Sequence, residues 1–250
     1  NWRGAAKFRK REIRFASNYT GELNSSGESV DINFIYKKHG STEFADGYFE
    51  ITGNDYEFMN SFHKFEPIIG SAELKTSIES KKMPVLLLDG WDITRRISND
   101  ISPEKLHGGG SYLSGKLGQT LFHKDVTFED VGFSPRHGLF TKFDSEGVIH
   151  KNTSIFNQGI FSSGIYDLRQ AHKFNTQSTG NGFRQYNTGV NCTLSHLSLK
   201  SGQTPMWEMI KSVPECLVVA MGYGGGINEQ WDYSTPVQVG ILFKNGKDRK

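Results

Sequence analysis

The chain has 250 residues, 36% of them hydrophobic, and a net charge of +2, which is enough for one large domain with its own core. Its basic residues are scattered apart from Arg3 to Arg14 and Lys244 to Lys250. Both clusters read as solvated termini, so the focused basic footprint of a nucleic-acid binder is not implied. The longest apolar runs, Val85 to Leu88 and Leu217 to Met221, fall far short of the ~20 residues that span a bilayer. The N-terminus carries no apolar signal-peptide core, so a soluble, cytoplasmic protein is expected.

Aromatic residues make up 12% of the chain, which favours strands. Glu12 to Ala16 and Ser29 to Tyr36 read as strands joined by turn chemistry at Asn24-Ser25-Ser26-Gly27. Tyr48 to Thr52 is a third strand. Asp55 can cap a helix whose apolar residues Phe58, Met59, Phe62, Phe65 and Ile69 recur at helical spacing. Pro67 kinks that helix, Leu74 and Ile78 extend it, and Lys81-Lys82 suits its C-terminus.

Val85 to Leu88 reads as a buried strand and Trp91 to Asn99 as a helix. Ser102-Pro103-Glu104 is an N-cap with proline at the first helical position, and Gly108 to Gly110 ends that short helix. Leu121 to Phe128 reads as a strand, and Asp144-Ser145-Glu146-Gly147 as a turn. Thr153 to Tyr166 suits a strand pair turning near Asn157-Gln158-Gly159. A short helix then runs from Asp167 to Phe174.

Leu194 to Leu199 is another strand, and Thr204-Pro205 opens a helix with Met206, Trp207 and Ile210 on its apolar face. Cys216 to Met221 and Val237 to Phe243 close the set of strands. Strands outnumber helices without alternating with them, which predicts an α+β fold with a large, mostly antiparallel sheet and a few short helices. Residues 1–250 are expected to form one domain.

Candidate binding residues come from the glycine-rich segments. Gly108 to Gly110 and Gly224 to Gly226 can cradle a phosphate or serve as turns, and no Gly-Lys-Ser/Thr follows either. Glycines at Gly222 to Gly226, next to a strand, also allow a peptide backbone to approach and pair by strand addition, which singles out Gly224 and Gly225. Ser178 to Gly182 reads as a tight connector, or as a binding loop in which Gly180 and Asn181 shape the backbone and Arg184 anchors a carboxylate.

The eight histidines show no ligand spacing, and Cys192 and Cys216 no metal-like spacing. The two cysteines are either buried apolar residues or one disulfide. Asp144 and Glu146 are expected to be solvated turn carboxylates. A nucleophilic hydrolase using Cys192 or a serine lacks the Gly-x-Ser-x-Gly elbow.

Several segments resemble, in order, the C-terminal half of TldD/PmbA proteins. They are Val85 to Asp89, Gly110 to Gly118, Phe143 to Val148, Asn157 to Ala171, Ser178 to Arg184, Asn191 to Gly202, Thr204 to Ile210 and Leu242 to Lys247. Residues 85–247 carry the better match, and residues 1–82 fit the family's central region loosely. No counterpart of the family's own N-terminal domain is expected, so the chain reads as a short member or a trimmed fragment.

The resemblance implies a role in peptide processing. TldD-type members are zinc metalloproteases with a His-Glu-x-x-x-His motif, in which imidazoles hold zinc and the glutamate activates water. Counting from the Ser111 to Gly118 match, that motif falls at Thr94 to Asn99, where neither His nor Glu is found. This pattern resembles the PmbA/TldE branch, which lacks the metal motif and pairs with a catalytic subunit. It implies a pseudoenzyme with no metal or cofactor of its own, zinc on a TldD-type partner in a heterodimer or else a homodimer, and a peptide substrate. A stand-alone β-rich binding module that keeps the fold without a protease partner is the alternative.

Overall fold

The computed structural model describes residues 2–36, 47–53, 78–88, 90–133, 141–222 and 224–248. It opens on a long hairpin, β1 (Trp2–Ser17) and β2 (Gly21–Tyr36), joined at Asn18-Tyr19-Thr20. Ser17 Oγ accepts from the Tyr19 and Thr20 N–H groups, and Gly21 takes φ +68°. The turn expected at Asn24 to Gly27 lies instead inside β2, opposite Arg14 to Arg11. Its small polar residues serve the inward face, where Ser25 and Ser29 are buried.

β3 (Gly47–Gly53) pairs antiparallel with β2 and contains the expected strand Tyr48 to Thr52. The helix predicted from Asp55 falls mostly outside the described residues. Its last part does not form, because residues 78–84 are irregular and Lys81 pairs with Glu215 rather than ending a helix.

β4 (Val85–Leu87) runs parallel to β11 (Glu215–Gly222) as the outer strand of a four-stranded sheet. The expectation of a buried strand fails here. At the sheet edge Val85 is 52% exposed, and Leu86 and Leu87 are half-buried. β14 (Val237–Lys244) pairs antiparallel with β11, and β15 (Lys247–Asp248) pairs with β14.

Helices α1 (Trp91–Asp100) and α2 (Pro103–Gly108) follow β4. Ser102 precedes α2 as foreseen, but its hydroxyl bonds Glu104 Oε2 instead of capping the backbone, and Gly109 ends the helix at φ +75°. Residues 121–127 form a looped segment, and the strand expected there is reduced to β5 (Phe128–Asp130). The loop is held by turn bonds: Val126 N–H donates to His123, and the Leu121 and Phe122 N–H groups share the Gly159 carbonyl. Its apolar side chains still reach the core.

β6 (Thr153–Asn157) and β7 (Ile160–Phe161) form the predicted hairpin, with Gln158 and Gly159 at φ +49° and +80°. Two successive positive φ values define a type I′ turn, whose twist matches the flanking strands. α3 (Leu168–Lys173) begins at Asp167, whose carboxylate accepts from Gln170 N–H at 2.6 Å. β8 (Gly182–Arg184) and β9 (Val190–Cys192) form a small hairpin. β10 (Leu197–Leu199) is the shortened form of the strand expected from Leu194. α4 (Met206–Lys211) starts after Pro205, and no side chain caps it. β12 (Gly226–Ile227) and β13 (Tyr233–Ser234) make a two-stranded ribbon.

The architecture is α+β with mostly antiparallel strands, distributed among the described residues over sheets of two to four strands. Ile97, Ile101, Leu113, Phe128, Ile155 and Phe156 lie in one core. Phe122 meets Phe156 edge-on at 4.9 Å, and burying each such ring contributes ~1.5–3 kcal/mol. A second core joins Ile210 of α4 to Cys216, Val218, Ile241 and Phe243 of the β11/β14 sheet. Asp100 ties α1 to the first core. It accepts from Arg96 at 2.8 and 3.0 Å and from Trp231 Nε1 at 2.5 Å. Both cysteines are free thiols. No helix among the described residues is long and apolar enough to cross a membrane.

Candidate functional site

Two cavities hold the singled-out residues, and they separate them into two groups. The larger, of about 740 Å³, lies between the inward face of β1/β2 and the segments around Asp144, His150, Asn181 and Ser195. The smaller, of about 310 Å³, lies beside α1 and is lined by Trp91, Asp92, Arg95, Gly224, Gly225 and Tyr233, among others.

The floor of the larger cavity is a hydrogen-bonded network centred on Asn181, which is 2% exposed. Its Nδ2 donates to Asp130 Oδ2 at 2.6 Å and to the Thr193 carbonyl at 3.0 Å, with Ser195 Oγ at 3.4 Å. Its Oδ1 accepts from Thr179 Oγ1 at 2.6 Å. Asp130 also accepts from His196 N–H at 2.7 Å. Ser195 Oγ and His150 Nδ1 stand 3.2 Å apart. Gly180, at φ +77°, is locked against the Ile149–His150 backbone, where an added Cβ would lie 2.7 Å from Ile149 O.

Asp144 organises the adjoining turn. Its Oδ1 accepts from the Glu146 and Val148 N–H groups at 2.9 Å, and its Oδ2 accepts from Gly182 N–H at 2.8 Å. The expectation that Asp144 and Glu146 are both solvated is corrected here, because Asp144 is only 6% exposed. A side chain that caps three backbone donors has to sit inside its turn. Burial pushes the Glu146 carboxyl up from its ordinary range, against the pull of a hydrogen bond from Leu168 N–H.

Gly180 and Asn181 thus belong to one buried network, with Asn181 at the cavity wall. Arg184 does not join them. It lies on β8 with its side chain exposed and its N–H on Ser145 Oγ, and Phe183 lines the cavity instead. Gly224 and Gly225 line the other cavity. At φ +81°, Gly225 packs so closely on β13 that an added Cβ would lie 2.1 Å from Ser234 O.

His150 and Ser195 gave no local signal in the sequence, because they are 45 positions apart. Asp130 and Asn181, 51 apart, met only through the fold. Cys192 is a poor nucleophile, since burial drives its thiol far above the usual range, with the nearby Asp167 adding to the effect.

The segment Thr94 to Asn99, where the resemblance sets the metal motif, lies wholly on α1. Thr94 Oγ1 is bonded to the Trp91 carbonyl at 2.9 Å and Ser98 Oγ to the Thr94 carbonyl at 2.8 Å. Arg96 is bound to Asp100, and Arg95 is directed toward Asp92 at 3.7 Å. Zinc takes imidazole, thiolate or carboxylate ligands, and a helix turn bearing two guanidinium groups and back-bonded hydroxyls does not fit that donor set. Among the described residues no group of three or more His, Cys, Asp and Glu is placed to hold a metal ion.

Two outcomes follow for the larger cavity. Asn181→Ala leaves the buried Asp130 Oδ2 without its donor, and should cost about 3 kcal/mol, read as a fall in the urea-unfolding free energy. An unchanged midpoint and slope would show that the network carries no stability. Burial lowers the His150 pKa below 6.5, outweighing the nearby Asp144 and Asp130 carboxylates. A depressed folded pKa means the unfolded chain binds the proton more readily. The neutral ring's contribution is therefore present above pH 6.5 and lost as pH falls through the folded value. The His150 ring proton should titrate in NMR with a midpoint below that of a free histidine, and a midpoint at or above it contradicts the burial argument.

The solved structure of TldE from Thermococcus kodakarensis superposes with a TM-score of 0.85 at 19% identity, covering 98% of this chain and 57% of that one. A protein of Thermotoga maritima, described as a candidate modulator of a DNA gyrase, gives a TM-score of 0.71 at 23% identity, over 91% of this chain and 53% of that one. These likenesses establish the fold. An uncharacterized protein of Methanocaldococcus jannaschii is 25% identical over 146 residues, which is 58% of this chain and 35% of that protein. The chain thus spans between about a third and just over half the length of the relatives it matches. The sequence profile of the PmbA/TldA metallopeptidase C-terminal domain matches residues 50–250. The chain belongs to the TldD/PmbA family, and this match covers its C-terminal domain.

Proposed function

We propose that this chain is a non-catalytic, TldE-like subunit that pairs with a TldD-type metallopeptidase and helps to hold the peptide substrate, the zinc residing on the partner. The observation that carries this reading is α1, where the metal-motif segment offers Thr94, Arg95, Arg96, Ile97, Ser98 and Asn99. In a zinc peptidase this helix supplies the ligands and the base that activates water. Here Arg95 instead faces the smaller cavity with Trp91, Gly224 and Gly225. A cation and a glycine-lined wall suit contact with a peptide backbone or a carboxylate. The fold shared with the Thermococcus TldE supports the same branch. The free thiols Cys192 and Cys216 suit a cytoplasmic location.

Co-expression with a TldD-type chain bearing His-Glu-x-x-x-His should yield a co-eluting heterodimer. Its peptidase activity should disappear when the partner's motif glutamate is replaced by glutamine. If this chain elutes only as a monomer or homodimer beside a folded TldD-type chain, the pairing is wrong and a stand-alone binding module is the better account.

A further inference from the structure

The larger cavity is electrically lopsided. Its roof is the inward face of β1, where Arg9 and Arg11 lie opposite Ser29 and Gly27 of β2. The absence of a side chain at Gly27 leaves room around the Arg11 guanidinium. Nearby basic residues are engaged, Lys10 with Glu28 at 3.4 Å and Arg14 with Glu12 at 2.9 Å. Arg11 has no such partner among the described residues. On the floor the opposite holds. Asp144 accepts three backbone N–H groups, and Asp130 accepts the Asn181 amide and the His196 N–H. The negative charge of the cavity is already compensated and part of its positive charge is not.

The walls are apolar. Ile13, Phe15, Phe143, Phe183 and Leu194 line the space, and Phe183 remains 50% exposed. An exposed ring and a guanidinium without an ion-pair partner in the same cavity favour a ligand that carries both an anionic and an apolar group. The volume of about 740 Å³ falls in the range of ~300–1,000 Å³ that encloses a drug-sized molecule. That is room for a few residues, so the end of a chain fits better than a segment passing through.

We infer that this cavity receives the carboxyl-terminal end of a peptide, with the α-carboxylate on Arg11 and the last, apolar side chain among Phe15, Phe143 and Phe183. The inference adds a second peptide contact, at a cavity separate from the Arg95 wall, to the peptide-holding role proposed above and rests on that reading. It concerns binding by this chain alone, so it stands or falls separately from subunit pairing.

The test is fluorescence anisotropy of the isolated chain with a labelled peptide ending in Leu, as the free acid and as the C-terminal amide. The free acid should bind about tenfold more tightly, the effect of one charge-assisted contact, and the difference should shrink at high salt. Arg11→Gln should bring the free acid down to the level of the amide and leave the amide unchanged. Gly27→Asp, which sets a carboxylate opposite Arg11, should do the same while keeping the arginine. Equal affinity for acid and amide, undiminished binding by Arg11→Gln, or no binding of either peptide overturns the assignment.

Discussion

The side-chain amide of Asn181 holds together three stretches of chain that are remote in sequence. It donates to Asp130 at the end of β5 and to the Thr193 carbonyl after β9, and it accepts from Thr179 in its own loop. A fully buried carboxylate such as Asp130 is costly unless donors surround it. The Asn181 amide and the His196 N–H supply them, so the position of β5 and the loop 178–182 are fixed together. Asp144 repeats the device one layer out, binding the Gly182 N–H while closing its own turn. Between them these two polar hubs set the cavity floor, and β1/β2 roofs it, with Phe15 packed against Phe143 at 6.0 Å.

Around the larger cavity the buried Asp144 and Asn181 side chains are both committed to hydrogen bonds with other parts of the protein. On α1, Thr94 and Ser98 are back-bonded to the helix, Arg95 and Arg96 are cationic, and Ile97 is in the core. Among the described residues Arg11 has no ion-pair partner over the larger cavity, and Arg95, 3.7 Å from Asp92, faces the smaller one. Both have the chemistry to bind rather than to activate water, which is why the functional reading rests on substrate holding.

Much of the fold was legible because local chemistry and tertiary pairing agreed. Asp167 caps α3, Gln158-Gly159 turns the β6/β7 hairpin, and Cys216 to Met221 and Val237 to Phe243 pair in one sheet. The errors came where two local signals competed. Asn24 to Gly27 carries turn residues, but Ser17 to Thr20 forms a tighter, hydroxyl-bonded turn, and the resulting register keeps the small residues on the inward face of a long strand. Leu121 to Val126 alternates as a strand would. Its backbone donors go to Gly159 and His123 instead, so its side chains enter the core from a loop. The cavity itself was not legible. The loop at Asn181 stood out for its glycines, whereas His150, Ser195 and Asp130 are isolated in sequence and acquire meaning only from their distances.

The central proposal is that the catalytic zinc resides on a partner and not on α1 of this chain. Its most direct test is the metal content of the purified chain after equilibration with zinc and exhaustive dialysis, measured together with its peptidase activity. The account predicts clearly substoichiometric zinc and no activity from the chain alone. One zinc retained per chain together with peptide hydrolysis would contradict it.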